Sequence, residues 1–335
     1  VDALRAELGD RGGDHLDVLA AERAALAGMP PLDFAQLTVP AYRAMLAAGG
    51  GFAPGDSVAA EEDLTIPTAN GPIAARLYRP ALESADEGGN SGNSNTLLPL
   101  TVFFHGGGFV SCWLDTHANI CRCLAQRART VVLSVDYRLA PEARFPAAAL
   151  DACDAVRWAA ANSRDLRVRP GALAVAGDSA GGNLAAVVAQ QLRHSAVNIA
   201  HQVLFYPVVD CATEHPSYES MGDGYLLTAD MMRWFKSEYF APDADRADPL
   251  ASPLTATDLA GIAGATIINA EYDPLRDEAE HYAARLAQAG VLTTHLRWPG
   301  QMHGFASLLG ALDAADQALT LAARALRHAL HVQNT

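Results

Sequence analysis

Six short, largely apolar runs separated by helix-like segments constrain this chain more than any other feature. They read LPLTVFF (98–104), TVVLSV (130–135), ALAVA (172–176), HQVLFYP (201–207), ATIINA (265–270) and VLTTHLRW (291–298). Helical patterning predicts helices near 115–128, 146–162, 179–194 and 275–289, and a last one over about 311–330. Continuous apolar strands are buried on both faces and helical crossovers set them side by side, so the pattern predicts an α/β fold with a mostly parallel central sheet flanked by helices. Such a sheet carries its chemistry on the loops at the carboxyl ends of its strands.

Three segments stand outside the alternation. From Val1 to Gly51 the pattern is helical, anchored by Leu4, Leu8, Leu26, Phe34, Tyr42, Met45 and Leu46, broken at Pro30-Pro31 and ended by Gly49-Gly50-Gly51. Residues 62–79 read as a hairpin with an Asn70-Gly71 turn, and the polar, glycine-rich stretch 83–95 reads as a flexible surface loop. Between Asp210 and Pro253 an insertion carries GYLLTADMMRWFKSEYF, in which Met231, Trp234, Phe235 and Tyr239 share one helical face behind a Thr228 cap. An insertion of this kind is either a lid or a structural excursion. Taken as a lid, it divides the chain into a first cap part (1–51), a core (52–209), a cap insertion (210–253) and a second core part (254–335).

Composition narrows the partners. The 335 residues are 50% hydrophobic with a net charge of −14, which excludes a nucleic-acid backbone or an anionic membrane surface and favours a small molecule. Cysteines 112, 121, 123, 153 and 211 form an odd set without metal-ligand spacing, so free thiols in a reducing compartment are expected. No run approaches the ~20 apolar residues of a membrane span, and the charged start lacks a secretory core, so a soluble, cytoplasmic protein is expected. The first residue is Val, which leaves room for a trimmed leader.

The chemistry begins at GDSAGGNLA (177–185), which follows the run ALAVA and opens a helix. Gly-x-Ser-x-Gly alone is a weak signal, but between strand and helix it makes a sharp turn that lifts Ser179 above the sheet edge. The helix N-terminus aims free N–H groups at the same place. Upstream, His105-Gly106-Gly107-Gly108-Phe109 follows another strand, and its uncovered N–H groups make Gly106 and Gly107, with Ala180, the candidate oxyanion donors. A serine needs a base and the base needs an acid. Of the 11 histidines, His303 is preferred because WPGQMHGF follows the last strand. His295 lies within that strand, His281, His328 and His331 on outer helices, and His15 and His215 in the cap, while His105 belongs to the glycine loop. Asp273 follows ATIINA directly, with Asp277 one helical turn further and Glu271 as a structural partner of the strand. The order Ser179, Asp273, His303 is the order of the α/β-hydrolase triad. Phe109, Trp113, Trp234 and Phe235 are candidates for an apolar pocket wall, or else for simple packing.

HGGGF, DYRLAPE (136–142), GDSAGGNLA, YPVVD (206–210), AEYDPLRDE (271–279) and HGF (303–305) together resemble the hormone-sensitive-lipase-like carboxylesterases, the GDSAG branch of the α/β-hydrolases, over about residues 55–310. The resemblance implies a carboxylic ester hydrolase with a two-part helical cap, short- to medium-chain substrates and no cofactor or metal, and it is compatible with a homodimer. It also implies structural roles for Asp178 and DYRLAPE, with Arg138 and Glu142 in buried ion pairs. Gln301-Met302 departs from the two apolar residues usual before the histidine. Amide, lactone or carbamate hydrolysis by the same triad remains an alternative. A non-catalytic receptor on this fold, of the gibberellin-receptor kind, is disfavoured because His303 is present.

Overall fold

A computed structural model of the chain describes residues 32–49, 53–81 and 97–331. Leu4, Leu8, Leu26, the Pro30-Pro31 break, His15 and the 83–95 segment lie outside the described residues. The described elements are α1 (Val39–Ala48), β1 (Val58–Ile66), β2 (Ile73–Pro80), β3 (Leu98–Phe104), α2 (Ala118–Ala128), β4 (Val131–Asp136), α3 (Ala147–Ala161) and β5 (Val168–Asp178). They continue with α4 (Ala180–Leu192), β6 (Ile199–Phe205), α5 (Pro216–Ser220), α6 (Ala229–Tyr239), β7 (Gly264–Tyr272), α7 (Arg276–Gln288), β8 (Thr293–Met302) and α8 (Asp313–His331).

The strands form one sheet of eight in the order β1-β2-β4-β3-β5-β6-β7-β8. The predicted hairpin, β1 with β2, is antiparallel and adds to β4 antiparallel, whereas all pairings from β4 to β8 are parallel. Burial on both faces explains the apolar runs. Val156, Val188 and Leu286 of α3, α4 and α7 pack in a core on one face; Leu124 and Leu319 of α2 and α8 pack on the other. No helix among the described residues is long and apolar enough to cross a membrane.

The last strand runs further than its sequence pattern suggests. Pro299-Gly300 reads as a stop, yet β8 continues to Met302, so Gln301 and Met302 lie in the strand rather than in a loop. Because β8 is an edge strand, a residue without an N–H is tolerated there. Gly300 adopts φ 73° and donates its N–H to Glu271 at 2.8 Å, beside a register shift between Ala270 and Tyr272. Glu271 is thus a structural partner of the strand, and His303 follows β8 directly.

The insertion folds as α5 and α6, with Thr228 capping α6 by accepting the Met231 N–H at 3.1 Å. Trp234, Phe235 and Tyr239 are buried as expected, but Met232 rather than Met231 turns fully inward. Tyr42 of α1 meets Trp234 and Phe235 edge-on, at ring separations of 5.3 and 5.7 Å, joining the segment before the core to the insertion. Arg43 ties α1 to the core. Its guanidinium donates to the carbonyls of Val110 and Ala140 at 2.8 Å each and to Glu142 at 2.7 and 2.9 Å. The expectation of a buried pair for Glu142 is corrected here, since its side chain is 64% exposed. Arg138 does pair with fully buried Asp151, at 2.7 and 2.8 Å.

Candidate active site

Strand β5 and helix α4 approach so closely at 177–181 that only glycine fits at the crossing. A Cβ on Gly177 would lie 2.2 Å from the Gly181 carbonyl oxygen, and one on Gly181 2.0 Å from that of Phe104. Between them Ser179 takes φ 54°, ψ −116°, a sparsely populated conformation for a residue with a side chain. Three backbone bonds hold it: its N–H donates to Phe205 O at 2.9 Å, and its carbonyl accepts from Asn183 and Val208 at 3.0 and 3.2 Å.

Two other strand ends converge on this serine. His303 Nε2 lies 2.9 Å from Ser179 Oγ, and His303 Nδ1 lies 2.7 Å from Asp273 Oδ2. The second Asp273 oxygen accepts the Leu275 N–H at 2.8 Å, which fixes the plane of the carboxylate. All three side chains are nearly closed to solvent, with residue exposures of 8% for Ser179, 8% for His303 and 1% for Asp273. Asp277 is engaged elsewhere, accepting from Arg276 at 2.8 Å.

The glycine loop requires a correction. The Gly106 N–H does not remain free for a ligand: it points at the Asp178 carboxylate, 2.8 Å away. Among the described residues, no hydrogen-bond acceptor is recorded for the N–H groups of Gly107 and Gly108. Ala180, the first residue of α4, has its N–H at the open end of the helix. The uncommitted donors are therefore those of Gly107, Gly108 and Ala180.

Asp178, adjacent to the nucleophile in sequence, faces away from it into a second cluster. Besides Gly106 it meets His117, whose Nε2 lies 3.2 Å from the carboxylate and 3.3 Å from the Gly106 nitrogen. The sequence reading passed over His117 because it lies in an unremarkable helical stretch with no strand end beside it. His105 is fully buried, its ring stacked on Tyr137 at 4.5 Å and its Nδ1 2.7 Å from the Gly106 carbonyl. Burial, helped by nearby His117, pushes its pKa down to about 4, so His105 is neutral and donates to that carbonyl through Nδ1. Tyr206 was also missed. Its ring lies 4.7 Å from that of His303, and its backbone takes φ 35° immediately after β6.

The four aromatic candidates separate. Phe109, stacked on Tyr239 at 4.1 Å, and Phe235 line a small cavity beside the glycine loop, with Gly108, Val208 and Met232. Trp234 instead packs toward Phe34 and Tyr42 and lines a separate groove beside residues 32–35, and Trp113 is half-buried. Helical spacing puts Trp234 and Phe235 side by side and Tyr42 of α1 touches both, but only Phe235 also lies against the glycine loop.

A strand-turn-helix serine, a histidine and an aspartate on successive strand ends, and a glycine loop beside them define an α/β-hydrolase. A family model described as an alpha/beta hydrolase fold matches residues 101–307. The ethyl acetate hydrolase of Pseudomonas putida is 39% identical over 271 residues, 80% of this chain and 82% of that protein. Carboxylesterase NlhH of Mycobacterium tuberculosis is 38% identical over 239 residues, 70% and 75% of the two chains. Among solved structures, the hyperthermophilic esterase from the archaeon Pyrobaculum calidifontis matches with a TM-score of 0.81 at 39% identity, covering 91% of this chain and 95% of that one. The chain belongs to the α/β-hydrolase family, in its hormone-sensitive-lipase-like esterase branch.

Proposed function

We propose that this chain is a serine carboxylesterase acting on short- to medium-chain esters through Ser179, His303 and Asp273. The observation that carries the proposal is His303 bridging the other two, 2.9 Å from the hydroxyl and 2.7 Å from the carboxylate. Asp273 keeps the proton on Nδ1, which leaves the Nε2 lone pair to take the serine proton as Oγ attacks the ester carbonyl. The oxyanion that forms is held by the N–H groups of Gly107, Gly108 and Ala180, each worth ~3 kcal/mol of transition-state stabilisation. His303 then protonates the leaving alcohol, and water repeats the sequence on the acyl-enzyme.

Several observations support the short acyl range: the cavity beside the loop is small, its walls are apolar, and one relative is named for ethyl acetate. Residues 210–253 together with α1 act as the cap that closes it. The test is Ser179→Ala against a short-chain aryl ester, in which turnover falls to background; retained turnover refutes the assignment.

A further inference from the structure

In the mechanism above, His303 is held by two hydrogen bonds before the reaction and by one midway through it. At rest its Nε2 meets Ser179 Oγ at 2.9 Å and its Nδ1 meets Asp273 Oδ2 at 2.7 Å. A planar ring fixed at two atoms of its rim can still rock about the line that joins them, and rocking swings the Nε2 lone pair off its target. Once Ser179 is acylated, its Oγ has no proton to give and the bond to Nε2 lapses. The imidazole then keeps only Asp273, at the stage when it must take a proton from water.

Among the described residues, one aromatic ring packs against this imidazole. The ring of Tyr206 lies 4.7 Å from it, centroid to centroid, and is inclined to it by 55°. At that separation the two rings touch. Tyr206 is itself firmly held: it is buried, Phe305 abuts its ring at 5.8 Å, and its N–H donates to the Ile268 carbonyl at 2.7 Å. Its backbone takes φ 35°, a region that a bulky residue enters only at a cost and that functional sites tend to collect. Its neighbours along the chain hold the nucleophile. The Phe205 carbonyl accepts the Ser179 N–H at 2.9 Å, and the Val208 N–H donates to the Ser179 carbonyl at 3.2 Å. One short stretch after β6 thus grips Ser179 by its backbone and meets His303 with a side chain, and the unusual φ falls at the residue whose ring makes that contact.

We propose that Tyr206 is a positioning residue for deacylation: its ring stops the imidazole of His303 from tilting while Ser179 is acylated. This rests on the esterase reading given above. In that step a water oxygen bonds to the acyl carbon, its proton passes to His303 Nε2, and that proton goes to Ser179 Oγ as the bond between Oγ and the acyl carbon breaks. During acylation the serine hydroxyl still aligns the imidazole, so loss of the Tyr206 ring weighs less there.

The experiment follows p-nitrophenol release from p-nitrophenyl acetate by stopped flow, with mass spectrometry of the acid-quenched protein, so that acylation and deacylation are read separately. In Tyr206→Leu and Tyr206→Met the deacylation rate constant falls about 10- to 100-fold and the acylation rate constant by less than about threefold, so acetylated protein accumulates behind an initial burst. Tyr206→Phe keeps the ring and matches wild type in both steps. Unchanged deacylation in a folded Leu or Met variant overturns the inference, and so does equal slowing of both steps, which is what a merely loosened core produces. Accumulation of acetylated protein in Tyr206→Phe beyond wild type overturns it whether or not the other two variants fold. A wild-type protein that neither releases p-nitrophenol nor becomes acetylated would instead overturn the esterase reading.

Discussion

The carboxylate of Asp178 accepts the N–H of Gly106 at 2.8 Å, joining two residues 72 positions apart. This bond pins the start of the glycine loop to the base of the nucleophile turn, next to the two N–H groups proposed as oxyanion donors. Asp178 is therefore a positioning residue. Replacing it by Ala should lower kcat about 10²-fold, the cost of misplacing a donor by roughly an ångström, with a much smaller change in KM. Asp178→Asn keeps an oxygen acceptor and should retain most activity. Steady-state kinetics on one ester, with circular dichroism to verify folding, decides it; an unchanged kcat in the Ala variant contradicts the anchoring role.

In the proposed mechanism Asp273 sets the tautomer of His303 through its 2.7 Å contact with Nδ1. Asp273→Asn offers a donor where an acceptor is needed, and kcat should fall by about 10⁴-fold with the fold intact. If the loss is less than about tenfold, the acid must be sought elsewhere.

Glu278 provides a pH signature. Burial raises its pKa from 4.5 to about 8, against the opposing effects of Lys236, the Val209 and Asp210 N–H groups and His215. In the unfolded chain the carboxyl ionises near its ordinary value of about 4.3, whereas in the fold it holds its proton. Its contribution to stability is therefore complete below the unfolded value and is lost as pH rises toward 8. Glu278→Gln keeps an acceptor for the two N–H groups and cannot ionise. The Tm of the variant relative to wild type should rise between about pH 5 and pH 8, and a flat difference across that range would contradict the assignment.

Much of the site was legible because its parts obey local rules. The turn around Ser179 needs glycine where backbones touch, and Asp273 and His303 had to follow strands whose apolar runs are visible. What escaped was settled by distant chain. Gly106 and Gly107 look alike in sequence, and only the Asp178 carboxylate, arriving from β5, removes one of them from the oxyanion donors. Trp234 and Phe235 are neighbours on α6, separated in role by what packs over each. Nothing in the helical pattern sets Lys236 and Glu278 apart, yet both are buried, because α6 is covered on more than one side and α7 meets the backbone of 209–210. The end of β8 was hidden by Pro299, which a sheet edge tolerates and a sheet interior does not.

The grip of Arg43 on the carbonyl of Val110 gives the mouth of the enzyme a second meaning. Val110 closes the turn that begins at Gly107, its N–H donating to the Gly107 carbonyl at 3.1 Å. Helix α1 and the glycine turn are thus mechanically joined: whatever displaces α1 takes away a support of the backbone beside the nucleophile.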